Sequence, residues 1–277
     1  MTLRPLEAGD VVDRAIRLYR DNFATFLLIV LSVRLPVVLL QAGQIYFLYE
    51  AGLMQFEDFG PQDFQNLDLN ALGISMAIGM VALLPAFMAN LVSSAALTWA
   101  AAQRYFGRPV SFGQAYRAAW GRIGHLAVGY LLWGLVIGVG LVFFVVPGIV
   151  LLVWFSFFFP VVMLERLGPV DCLGRSKRLV DGHWWQVAWP LLGLAIIAFV
   201  SPALVIGVPV SYLCEGWLAQ VMPLAAAGGL GQFVYQVVLT ALAPVLLCGL
   251  VVLYYDRRVR MEGLDLELRA QEMAEAA

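Results

Sequence analysis

The sequence predicts an all-α fold: a polytopic transmembrane helix bundle of about six spans, with cytoplasmic, interfacial amphipathic helices ahead of the first, third and fifth. Three observations carry that prediction. Apolar runs of bilayer length recur through the chain, the basic residues avoid alternate gaps between them, and a short charged stretch with helical periodicity precedes every second run. The composition agrees: 62% hydrophobic and only 13% charged over 277 residues, far from a soluble globular domain.

The runs cover 24–49, 72–103, 125–146, 148–164, 186–210 and 230–255. A helix needs about 20 predominantly apolar residues to cross a hydrocarbon core roughly 30 Å thick, so each run is a crossing. Of the 17 Lys and Arg residues, all but Arg34 lie before the first run, between the second and third, between the fourth and fifth, or after the sixth. The gaps 50–71 and 211–229 hold none, and carry Glu50, Glu57, Asp58, Asp63, Asp68 and Glu215 instead. The positive-inside rule then places the basic gaps and both termini in the cytoplasm. The formal charge of -2 conceals this asymmetry. A basic inner face attracts anionic lipid head groups, and nothing in the pattern points to nucleic acid.

Only Pro147 lies between the third run and the fourth, which opens on Gly148, yet Arg117 and Arg122 precede the pair and Arg166 and Arg175 follow it. A tight external turn at Val146, Pro147 and Gly148 satisfies both flanks, since Pro interrupts a helix and Gly accepts turn dihedrals. A half-membrane re-entrant hairpin is the competing reading. No gap is long enough for a soluble domain, so residues 1–260 read as one membrane domain and 261–277 as an acidic cytoplasmic tail. Glu7, Asp10, Asp13 and Asp21 among the early Arg residues argue against a cleavable signal peptide. Cys172, Cys214 and Cys248 are assigned to the inner side, the outer side and a span interior, which leaves no pair for a disulfide or a metal.

The short stretches ahead of the odd-numbered runs resemble one another. In the first, Val12, Ala15, Ile16, Tyr19 and Phe23 fall on one helical face and Asp10 reads as its N-cap. The second opens at Pro109, with Ser111 and Gln114 at capping-box spacing and Phe112, Ala115, Tyr116, Ala119 and Ile123 as its stripe. The third opens at Pro169 and carries Leu173, Ser176, Leu179, Val180 and His183. Aligning Arg17, Arg117 and Arg175 places Phe26, Leu126 and Trp184 at one common offset. Three repeats of an interfacial helix and a transmembrane hairpin follow, over 5–103, 109–164 and 169–255. Such helices dip their apolar face into the head-group boundary while Arg stays with the phosphates. They serve either as elbows that orient the spans or as a docking surface, with Arg14, Arg17, Arg117, Arg122, Arg175, Lys177, Arg178, Trp184, Trp185, Arg257, Arg258 and Arg260 as the head-group or partner contacts.

Arg34 is the one basic residue inside a run, at a depth of roughly 15 Å by helical rise, and an intramembrane charge is by default a functional hypothesis. Asn90 on the second run reaches a comparable depth, with Ser93, Ser94 and Thr98 toward the inner side. Arg34, Asn90, Ser93 and Ser94 therefore form a candidate polar site, either a clasp that fixes helix packing or a site for an anion. Prolines in or beside every run, and His125 and His183 at matching offsets, are weaker signals. No phosphate-binding glycine loop, HExxH motif, nucleophile elbow or pair of intramembrane carboxylates is present, so no enzyme, metal or cofactor is expected.

Several stretches taken in order carry a resemblance. They are Leu3-Arg4-Pro5-Leu6 with residues 13–23, Gly107-Arg108-Pro109-Val110-Ser111-Phe112, Val146-Pro147-Gly148-Ile149, Arg175-Ser176-Lys177-Arg178-Leu179-Val180 with His183-Trp184, and residues 254–267. Together they resemble the bacterial family named for the membrane domain of glycerophosphoryl diester phosphodiesterases. In multidomain relatives that unit is joined to a soluble barrel with metal-binding carboxylates and catalytic histidines, which have no counterpart in this sequence. The resemblance implies the fold and a bacterial inner-membrane location without the hydrolase activity.

Two functions are open at this point. One is a non-catalytic scaffold, anchor or accessory subunit for a protein partner at the cytoplasmic face, in contact with membrane lipids. The other is a transporter or flippase-like carrier of an amphiphilic or lipid anion, with Arg34 at its site; it predicts a polar cavity reaching Arg34.

Overall fold

The computed structural model describes residues 6–51, 53, 69–143 and 145–263, at 211 and 215 the backbone alone. Glu57, Asp58, Asp63, Asp68 and most of the acidic tail lie outside the described residues. Among the described residues there are helices and no strand.

Six helices are long and apolar enough to cross a membrane: α2 (Phe23–Glu50), α3 (Leu69–Tyr105), α5 (Ile123–Phe143), α6 (Val145–Glu165), α8 (Trp184–Val210) and α9 (Leu224–Glu262). Short helices α1 (Ala8–Asp21), α4 (Phe112–Trp120) and α7 (Pro169–Val180) precede α2, α5 and α8. The chain is an all-α polytopic bundle. Along α3, Met80, Val81, Leu83 and Leu84 are exposed, which an apolar surrounding accommodates and water would not.

The helix starts follow local chemistry. α4 opens on the predicted capping box: Ser111 Oγ accepts from the Gln114 backbone N–H at 3.4 Å, and Gln114 Oε1 accepts from the Ser111 N–H at 3.1 Å. α1 starts one turn earlier than the sequence suggests. Glu7 is its N-cap and Asp10 sits at the third helical position, accepting from the Glu7 N–H at 3.3 Å. α7 takes Gly168 as its N-cap, with Pro169 at the first helical position, where a missing N–H costs nothing.

The turn between the third and fourth spans also differs from expectation. Pro147 and Gly148 lie inside α6, because Pro in the first turn of a helix needs no intrahelical donor. α5 and α6 are 21 residues each, long enough for two spans rather than a half-membrane hairpin. The gap 211–229 is mostly helical too: the chain stays helical to Gln220, and α9 begins at Leu224.

The chain divides into two compact units, 1–29 with 91–198 and 243–277, and 30–90 with 199–242. The division does not follow the three sequence repeats. In the first unit α1 packs on the start of α8, and α5 packs on α6 and α7. Close approach in the α5–α6 hairpin requires glycine: a Cβ on Gly148 would lie 2.7 Å from the Leu141 backbone nitrogen.

Candidate functional site

The second unit holds the intramembrane site. A partly open cavity of about 230 Å³ is lined by Arg34, Val37, Val38 and Gln41 of α2, Ala86, Ala89 and Asn90 of α3, and Gln236 and Thr240 of α9. Helical spacing explains the convergence. Arg34 and Gln41 are two turns apart, Ala86 and Asn90 one turn, and Gln236 and Thr240 one turn, so each helix turns one stripe to the cavity. Arg34 Nη2 donates to Asn90 Oδ1. The lining offers one formal charge, the Arg34 guanidinium, surrounded by amide and hydroxyl groups that both donate and accept. Ala86 and Ala89 leave the room that larger side chains would fill.

A second, more apolar cavity of about 300 Å³ is lined by Ile45, Tyr49, Ala203, Gly207, Val208, Val210, Cys214, Gly228, Gly231, Gln232 and Tyr235. It shares two helices with the first. On α2 the lining passes from Arg34 and Gln41 to Ile45 and Tyr49; on α9 it passes from Thr240 and Gln236 to Tyr235 and Gly228. The centres are separated by roughly 10–14 Å at 1.5 Å per residue. Glycines shape this cavity. A Cβ on Gly228 would stand 2.3 Å from Tyr49 Cε2, and one on Gly207 would stand 2.8 Å from Tyr235 Cε2, so the bare backbone lets both rings lie down. A π-helical turn at Ala203–Gly207 supplies two lining residues.

Arg34 and Asn90 are thus joined as expected, while Ser93 and Ser94 are buried in the first unit and do not line this cavity. Gln41, Gln236 and Thr240 were missed. Their signal was present: polar residues interrupting apolar runs at one-turn or two-turn spacing.

The inner basic residues divide into two groups. Arg257 is 1% exposed, donating through Nε to the Leu179 carbonyl at 3.1 Å and through Nη1 to Gln186 Oε1 at 2.9 Å. Arg175 bridges Glu165 at 2.8 Å and Glu262, and Arg258 bridges Glu262 at 2.9 Å. Tyr254 Oη donates to Glu165 at 2.7 Å. Arg260 holds Asp256 at 2.9 Å, and Asp256 in turn accepts from the Leu6 N–H at 2.7 Å. Arg122 donates to the Val162 carbonyl at 3.3 Å, and Arg14 to Tyr105 Oη at 3.3 Å. Burial opposes the Arg175 charge, but the hydrogen bonds to Glu165 and Glu262 outweigh it and hold its pKa above the ordinary arginine value. Buried Arg257 and the internally bridged Arg175 are therefore packing elements rather than docking contacts. Glu165, which no sequence motif marked, is the acceptor that organises this cluster.

Exposed are Arg17, paired with Asp13 at 3.5 Å, then Arg117, Lys177 and Arg178. Lys177 Nζ sits 4.6 Å over the Trp154 ring. Trp184 is half-buried against exposed Trp185, with ring centroids 4.7 Å apart. Comparison of the chain with protein-family models, curated proteins and solved structures finds no match in any of the three.

Proposed function

We propose that this is a non-catalytic carrier or binding protein for an amphiphilic anion, whose head group is held at Arg34 and whose apolar chain lies in the adjoining cavity. The observation that carries the reading is the polar cavity at Arg34, built from three helices at mid-span, with a separate, more apolar one further along α2 and α9. Intramembrane cations that face a polar cavity mark ligand paths in membrane proteins. Amides and a hydroxyl beside the guanidinium give an anion further donors without a competing carboxylate in the lining.

Native mass spectrometry of the protein in phosphatidylcholine nanodiscs, titrated with dodecyl phosphate, tests the head-group contact. Losing a charge-assisted hydrogen bond costs about 1.5–3 kcal/mol, so Arg34→Gln should weaken retention roughly tenfold to a hundredfold. Equal retention by both proteins would sink the reading. Ala203→Phe tests the chain cavity: it should shift the preferred alkyl length from dodecyl toward octyl phosphate while Arg34 dependence persists.

The charge asymmetry supports an orientation with both ends in the cytoplasm, and the family resemblance supports a bacterial inner membrane. A scaffold role is the second reading, favoured by exposed Arg17, Arg117, Lys177, Arg178 and Trp185. It predicts capture of a protein partner that charge reversal at Arg17, Arg117 and Lys177 abolishes. An unchanged set of partners after that reversal would remove it.

A further inference from the structure

We infer a second anion site, outside the Arg34 cavity and in the other compact unit: a phosphate-binding cleft formed by Arg14, Arg17 and Arg104. The cleft has a volume of about 450 Å³ and is lined by Leu6, Asp10, Arg14, Arg17, Leu18, Arg104 and Tyr105. Arg14 and Arg17 are one turn apart on α1, and Arg104 comes from the last turn of α3. Three guanidiniums against the single Asp10 carboxylate leave the lining with a net charge of two positive (3 − 1).

The internal pairing does not use up these donors. Arg14 spends Nη1 on Tyr105 Oη, and Arg17 meets Asp13 at 3.5 Å with 62% of its side chain exposed. Arg104 Nε is buried and donates to no acceptor among the described residues. A buried N–H left in that state is unfavourable, and like charges gathered in one cleft repel, so the arrangement calls for an anion with several acceptor oxygens. A phosphate monoester fits: it carries about −1.5 to −2 charge near neutral pH and three acceptor oxygens, and planar guanidiniums bind phosphate bidentately. The shared chemistry is a terminal phosphate, which a soluble anion and a phosphatidic acid head group both present.

Thermal unfolding of the full chain in phosphatidylcholine nanodiscs reads the site, with inorganic phosphate added in one arm and phosphatidic acid incorporated in the other. Stabilisation that grows with phosphate assigns a soluble source; stabilisation only by phosphatidic acid assigns the lipid. Either supports the cleft if Arg104→Met and Arg17→Gln each weaken the apparent affinity at least fivefold while Arg117→Gln, on α4 and outside the lining, leaves it unchanged. Arg17 is too exposed for its replacement to compromise folding, so that variant decides the matter even if Arg104→Met expresses poorly. No stabilisation in either arm, or wild-type affinity in Arg17→Gln, overturns the inference. Because no residue is shared with the Arg34 cavity, failure here leaves the dodecyl phosphate result standing.

Discussion

Replacing Arg257 with Met removes a cation that is 1% exposed and leaves the Leu179 carbonyl and Gln186 Oε1 without their donor. The buried Leu179 carbonyl left unsatisfied costs about 1–3 kcal/mol, whereas Gln186 is exposed and turns its Oε1 to water. Part of that is returned, since the variant no longer carries a desolvated charge, and the thioether fills much of the same volume. The net expectation is a loss of about 1–2 kcal/mol, most of it the cost of the orphaned carbonyl. At about 2–4 °C per kcal/mol for a chain of this size, thermal unfolding in nanodiscs should shift down by roughly 2–8 °C. Arg257→Lys retains the charge but not the fork that reaches both acceptors, so it should recover less than half of the loss. A midpoint for Arg257→Met within about 1 °C of wild type would refute the claim that this arginine ties α7, α8 and α9 together.

Other outcomes follow from the same contacts. Glu165→Gln and Arg175→Gln, combined in a double-mutant cycle, should show a coupling of about 1–3 kcal/mol, because the pair is largely buried and 2.8 Å apart; additive losses would mean the bridge contributes nothing. Cys172 is fully buried, and burial pushes its thiol up to about 11. The folded protein should therefore resist maleimide at pH 8, where the thiolate fraction is roughly one in a thousand, and rapid labelling would contradict the burial. Since the folded state keeps that proton, the associated stability is present below the unfolded thiol pKa and is lost as pH rises toward about 11. Gly148→Val should open the α5–α6 hairpin at a cost of about 1–3 kcal/mol, whereas Gly134→Ala, where a Cβ meets nothing within 4 Å, should be tolerated.

The spans were legible because a bilayer imposes one length and one polarity on every crossing, and runs such as 186–210 announce both. The short helices were legible as helices but not in their packing. In α1 the buried line is Val11, Ala15 and Tyr19, while Ile16 and Phe23, assigned to the same stripe, are exposed. A helix beside a membrane has two apolar neighbours, protein and lipid, and hydrophobicity alone does not say which one a residue faces. The fate of the inner arginines was equally hidden. Arg17 and Arg175 align in sequence, yet one is exposed on α1 and the other is locked to Glu165 and Glu262, whose proximity is set by tertiary packing. At the intramembrane site Arg34 and Asn90 stood out as polar groups in apolar runs. Gln41, Gln236 and Thr240 carried the same signal more faintly, being uncharged, and the cavity itself emerged only once α2, α3 and α9 were assembled.

Photo-crosslinking with a diazirine-bearing dodecyl phosphate in phosphatidylcholine nanodiscs, followed by peptide mapping, tests the amphiphile site most directly. The predicted adducts lie on cavity-lining residues of α2, α8 and α9, such as Ile45, Ala203 and Tyr235, and disappear in Arg34→Gln. Adducts confined to exposed apolar positions such as Val142 and Phe143, with the same yield in both proteins, would contradict the account.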